Sequence, residues 1–271
     1  MATLSISRAW DETKSVLARD GKLFVSVAAA LILLPQVVAA LFASPDGGPE
    51  TASTLWIALM AVATIIALVG QLAMVRLALS SGLSVGEAIR HGFGRLLAFV
   101  ASVLIMVAAI LLLAIVVIAI LGALGIIGMP GPDAQLAPRD AAILVTVLLV
   151  PFLFLAVRLL PTVAVASAEP IGPIAILKRS WSISRGHFWR LFGFLVLFIV
   201  AALILVVAMT LVIGTIVGLI FGNPQPFSVG ALILALLLGV VQTAVTVIYI
   251  VMVSRIYAQL TAEVSVPSSG T

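Results

Sequence analysis

Six long apolar stretches divide this chain, at about 23–43, 54–79, 96–127, 141–166, 191–221 and 228–258. Each matches or exceeds the roughly 20 residues that carry an α-helix across about 30 Å of hydrocarbon. A segment inside lipid must satisfy its own backbone, so the pattern predicts an all-α bundle of six transmembrane spans. The connections alternate in charge. Regions 1–22, about 76–95, about 158–190 and 255–271 are basic, whereas 44–53 and 222–228 carry no basic residue and the third outer loop carries only Arg139. Basic residues in short loops stay cytoplasmic, so both termini are expected in the cytoplasm. The expected division is an amphipathic arm at 1–22, the membrane domain at 23–258, and a tail at 259–271 disordered towards its end.

Two details of length refine this picture. The first stretch follows basic residues and has to be tested as a secretion signal. Its 21 residues exceed the 7–15 of a signal core, and Leu41-Phe42-Ala43-Ser44 lacks a small residue at the −3 position for cleavage after Ala43. It is therefore expected to be a retained helix. The third and fifth stretches are too long for a simple crossing. At 1.5 Å per residue, 191–221 reaches about 46 Å as one helix, so it must tilt, kink or emerge.

Composition supports the class and removes others. Hydrophobic residues make up 63% of the 271 residues and charged residues 9%, against roughly 25% charged in a soluble domain. So few charges cannot cover a water-soluble fold, and no room is left for a separate soluble catalytic domain. The net charge is only +4, with the basic residues beside the spans. They read as a topology signal and as contacts for anionic headgroups, not as a nucleic-acid surface. The absence of cysteine excludes disulfides, thiolate metal sites and thiol nucleophiles.

The chain also resembles itself. Ile127-Gly128-Met129-Pro130-Gly131-Pro132 and Phe221-Gly222-Asn223-Pro224-Gln225-Pro226 end the third and fifth stretches alike, 35 residues after Arg95 and 34 after Arg190. A shortened first copy runs from Lys22 to Pro45. The returning stretches each carry one arginine near the basic end, at Arg76, Arg158 and Arg255, 28 to 31 residues after the turn proline. Three copies then enter the membrane in the same sense, a parallel threefold repeat of helix hairpins with amphipathic lead-in segments.

Those segments hold the candidate chemistry. In 174–192, apolar Ile174, Leu177, Trp181, Ile183 and Phe188 mix with Lys178, Arg179, Arg185, His187 and Arg190, which suits a helix in the headgroup plane. Trp10, Trp181 and Trp189 are expected interfacial anchors. Guanidinium groups pair bidentately with phosphate, so Arg76, Arg90, Arg95, Arg158, Lys178, Arg179, Arg185, Arg190 and Arg255 are the candidate headgroup contacts. Gly214, Gly218 and Gly222 allow close helix packing, within the bundle or with a partner.

The rest of the inventory is sparse. Gln36, Gln71, Thr64, Thr146, Gln242, Thr243 and Thr246 stand out among the few polar residues within the spans, and no carboxylate falls there. An ion-coupled pump would need one. His91 and His187 come with no convergent carboxylate pattern, so neither metal nor cofactor is expected. There is no metalloprotease helix, nucleophile elbow or phosphate-binding loop. A lipid-modifying enzyme would require His91 or His187 beside a carboxylate in a pocket.

The run Pro173-Ile174-Ala175-Ile176-Leu177-Lys178-Arg179-Ser180-Trp181, followed by Arg185-Gly186-His187-Phe188-Trp189-Arg190-Leu191-Phe192-Gly193, resembles the membrane domain that precedes some bacterial glycerophosphodiester phosphodiesterases and its stand-alone six-helix relatives. The resemblance implies a multi-pass protein of the bacterial inner membrane. It transfers no catalytic residue, because the family's activity belongs to an appended barrel that this chain lacks. The expectation is a non-enzymatic organising or accessory subunit that contacts membrane phospholipid and other integral membrane proteins. The alternative is a transporter or lipid-moving protein whose path follows the bundle axis, with Gln71, Gln242 and the span-end arginines facing a solvated cavity.

Overall fold

The computed structural model describes residues 4–41, 54–128, 137–222, 225 and 228–265. Among them every regular element is helical, and six helical stretches are long and apolar enough to cross a membrane. The turn prolines Pro45, Pro130 and Pro224 lie outside the described residues.

Helix α1 (Ile6–Ala28) passes through one π-helical turn (Ala29–Leu33) into α2 (Leu34–Leu41). The cause is local. Pro35 has no N–H to donate, and the strain is taken up just upstream, where the Leu34 N–H bonds back five residues to the Ala29 carbonyl. The arm at 1–22 is thus no separate segment. Ser5 caps α1 through the Arg8 N–H, and Ala9, Thr13 and Val16 bury one face continuous with Phe24, Val27 and Ala28.

The second span is α3 (Thr54–Leu79) and the third is α4 (Val85–Ala123). Ser84 and Glu87 form a reciprocal capping box that starts α4 ahead of its apolar stretch. The expected boundary at 96 therefore disappears. Its 39 residues reach about 58 Å, and the lead-in segment extends the span beyond the hydrocarbon.

The fourth span differs from the expected 141–166 stretch. Helix α5 (Pro138–Arg158) stops before Pro161, and α6 (Thr162–Ala168) starts after it. Pro161 cannot donate to Val157, and the Thr162 N–H bonds to the Leu159 carbonyl instead, at 3.0 Å. The 174–192 segment is likewise divided, into α7 (Pro173–Ile183) and the start of α8 (Phe188–Phe221). Gly186, at φ +84°, turns the chain between them. Helix α9 (Val229–Ser265) runs through the boundary expected at 258. Leu260 is buried, and Gln259 accepts from the Ser5 N–H, so packing on α1 carries the helix past the hydrophobic stretch.

The core sits at the end of the bundle that carries the basic residues. There α3 is central, packed by α1, α4, α6 and α9. Leu72 to Val75 of α3, Val251, Val253 and Ile256 of α9, Ala164 to Ala166 of α6 and Ile176 of α7 are fully buried. Gly92 brings α4 against α3, since a Cβ there would lie 2.7 Å from the Val69 carbonyl oxygen. Towards the other end large apolar side chains of α4, α5 and α8, such as Leu111, Val150 and Leu203, are exposed, as lipid-facing residues of a span would be.

Candidate lipid-facing groove and its basic rim

The break between α5 and α6 organises this site. Arg158 ends α5 with a carbonyl that has no helical donor, and Ser180 Oγ of α7 donates to it at 3.3 Å and Ser184 Oγ, just past the end of α7, at 3.0 Å. This pins α7 across the end of α5. The Arg158 guanidinium then lies among three rings, its carbon 5.4 Å from the centroids of Phe154 and Trp181 and 5.7 Å from that of Phe188. Its Nε and Nη1 are buried without a hydrogen-bond acceptor. A cation among aromatic faces gains quadrupole attraction, and these two nitrogens make no hydrogen bond among the described residues.

Trp181 presents its other surroundings to a groove of about 460 Å³ between α4, α5 and α7. Ile105, Met106, Leu155 and Leu159 make apolar walls, while Lys178, Ser182 and Arg185 stand along the α7 side. Lys178 and Arg185 are exposed and form no ion pair among the described residues. The volume falls within the roughly 300–1,000 Å³ of ligand sites, and an apolar cleft beside two cations matches an anionic amphiphile.

The other candidate arginines are placed differently. Arg95 donates from Nε to the Ala166 carbonyl at 3.1 Å and from Nη2 to the Glu169 carbonyl, and His91 Nε2 lies 2.7 Å from the Ser167 carbonyl oxygen. Together they satisfy the end of α6, where orphan carbonyls and the helix dipole favour a cation. Arg255 Nη2 donates to the Ala78 carbonyl in the last turn of α3. Arg190 Nη1 donates to the Leu4 carbonyl at 3.0 Å. Arg179 Nε pairs with Glu169 Oε1 at 3.0 Å, an atom that also accepts from Tyr257 OH at 2.9 Å. Arg90 is exposed and Arg76 is half-buried.

Of the tryptophans, Trp189 is 79% exposed and Trp10 42%, as membrane-surface anchors would be, whereas Trp181 is half-buried in the Arg158 box. A Cβ added at Gly214, Gly218 or Gly222 meets nothing within 4 Å. The close contact these glycines permit is therefore not made within the described chain. Close packing falls instead on Gly70, Gly92, Gly230 and Gly239, which no sequence spacing singled out. Among the described residues no group of three or more His, Asp or Glu side chains is placed to hold a metal ion.

Sequence reasoning named Arg158 but not its cage. The signal was present as Phe154 four residues before it in α5, but Trp181 and Phe188 join only through the turn that folds α7 back.

No curated protein and no solved structure matches the chain. Residues 4–260 match the family described as Domain of unknown function (DUF7847), which spans all six membrane-crossing stretches, and the chain belongs to that family.

Proposed function

We propose that this protein is a non-enzymatic, multi-pass protein of the bacterial inner membrane, with both termini cytoplasmic, that binds anionic phospholipid and organises neighbouring membrane proteins. One observation carries this reading: Lys178 and Arg185 stand exposed and without an ion pair among the described residues at the rim of an open apolar groove. An acyl chain lies along Ile105, Met106 and Leu155, and the phosphate meets the α7 cations. Arg158, behind Trp181 with Nε and Nη1 making no hydrogen bond among the described residues, strengthens the positive field at the same place. The likeness of the 173–193 run to membrane domains that precede phosphodiesterases fits a protein working at phospholipid headgroups. An organising role is favoured over a carrier with an axial path because the central positions of α3 and α9 are filled by Leu72, Met74, Val251 and Val253.

The test is native mass spectrometry of the protein released from its own membrane. Anionic phospholipid should remain bound, and the double variant Lys178→Gln/Arg185→Gln should lose it. With about 1 kcal/mol per interfacial cation, affinity falls roughly 30-fold. Equal retention of zwitterionic and anionic lipid by both proteins would refute the assignment.

A further inference from the structure

A second groove lies between α2, α8 and α9, away from the basic rim, with a volume of about 320 Å³. Gln36, Thr210 and Gln242 converge on it, and Val206, Ala235 and Leu238 are among its apolar walls. Among the described residues no charged side chain lines it. The Gln36 and Gln242 side chains are exposed, and among the described residues their amides have no hydrogen-bond partner.

Depth makes this unusual. Gln36 is 14 residues from Lys22, and Gln242 is 13 from Arg255. At 1.5 Å per residue each sits about 20 Å inside the basic end, too deep for a glutamine to reach headgroups there; Gln242 is equally far from the start of α9 at Val229, and Gln36 lies about 8 Å from the end of α2 at Leu41. An unsatisfied amide facing hydrocarbon is unfavourable, and polar residues at such depth face a partner or mark a pathway. The local backbone forms the groove. The π turn and Pro35 offset α2, and Gly239 lets the π turn and α2 approach α9, since a Cβ there would lie 2.8 Å from Leu33 Cδ1 and 3.4 Å from Val37 Cγ2.

We propose that this groove binds an uncharged lipid, with a hydroxyl or ester group held between the Gln36 and Gln242 amides and a chain along Val206 and Leu238. The absence of charge selects against a phosphate. The volume, about 320 Å³, lies at the lower end of the range for small-molecule sites. A slender chain with one neutral polar group fills it and satisfies both amides. This site is separate from the α7 groove and does not rest on the reading given for it.

The experiment uses the full chain in zwitterionic nanodiscs containing a photoactivatable diacylglycerol, with labelled residues mapped by mass spectrometry. Labelling should concentrate on 206–210 and 235–242, compete with unlabelled diacylglycerol, and drop about tenfold in Gln36→Leu/Gln242→Leu. Ala235→Phe, which fills the cleft without touching either amide, should drop it similarly, and Lys178→Gln/Arg185→Gln should leave it unchanged. Labelling spread over the exposed faces of α4 and α8, or unaltered in the first two variants, would overturn the proposal. So would a protein dimer that the Gln36→Leu/Gln242→Leu variant dissociates, because the amides would then serve a partner helix.

Discussion

At the scale of single residues, half-buried Arg158 and buried Gly92 show how differently two positions respond to change. Arg158 gains from three aromatic faces but buries Nε and Nη1 without an acceptor. Its structural link to α7 runs through its main-chain carbonyl, which any residue supplies. Replacing Arg158 with Leu should therefore leave thermal stability in detergent within about 1 kcal/mol of the parent, as lost cation–π attraction offsets relief of an unpaired charge. A fall of several kcal/mol would show that the guanidinium has a partner in the folded protein. Trp181→Ala, which empties part of the box, should cost about 1–3 kcal/mol in the same assay. Gly92→Ala drives a Cβ towards the Val69 carbonyl, a rigid acceptor, and should cost about 1–3 kcal/mol, whereas Gly214→Ala and Gly218→Ala should be neutral. Neutrality of all three substitutions would remove the close approach of α3 and α4 from this account.

At the scale of elements, the connection from α6 to α7 ties the basic end together. Ser167 Oγ donates to the Leu72 carbonyl of α3, Arg95 and His91 of α4 hold the end of α6, and Glu169 gathers Arg179 of α7 and Tyr257 of α9. Four helices thus meet through one short segment. Glu169→Ala should cost about 1.5–3 kcal/mol through loss of hydrogen bonds to a charged acceptor, and Tyr257→Phe about half as much. Hydrogen exchange should show the loss as faster opening of α7 and of the last turns of α9, with α4 beyond Phe99 unaffected. Uniform acceleration across all helices would mean that the segment carries no local role. Pro161 creates this arrangement by ending α5, just as Pro35 creates the π turn that shapes the second groove.

At the scale of the whole molecule, the fully buried core lies towards one end, and large apolar side chains of α4, α5 and α8 are exposed towards the other. The packed end holds the arm, α6 and α7, and by its basic residues it is the end expected in the cytoplasm. The chain contains no cysteine, so single replacements report topology without background. Ser7→Cys and Ser182→Cys should react with a membrane-impermeant maleimide only after cells are opened, and Arg139→Cys should react in intact cells. The opposite pattern would invert the orientation and place the groove's cations on the outer face. Six helices were legible because a hydrocarbon solvent demands about 20 apolar residues per crossing, and composition alone displays such runs. Their ends were less legible. Hydropathy set boundaries at 22, 96 and 258, but α1, α4 and α9 continue through all three, held by the Ser5 and Ser84 caps and by burial of Leu260.

The sequence by itself determined the helical class, the number of spans and the clustering of positive charge, because each depends on local composition and on what lipid tolerates. It also marked Arg158, Lys178 and Arg185, since charges are rare enough here to count. What each arginine contacts was decided only by tertiary structure. Arg95, Arg190 and Arg255 meet carbonyls 71, 186 and 177 positions away, and no spacing rule reaches so far. Two breaks at proline, one close glycine contact and the fold-back of α7 convert a row of similar cations into helix caps, an ion pair, an aromatic cage and an open rim. The same long-range packing left Gln36 and Gln242, 206 residues apart, facing one groove.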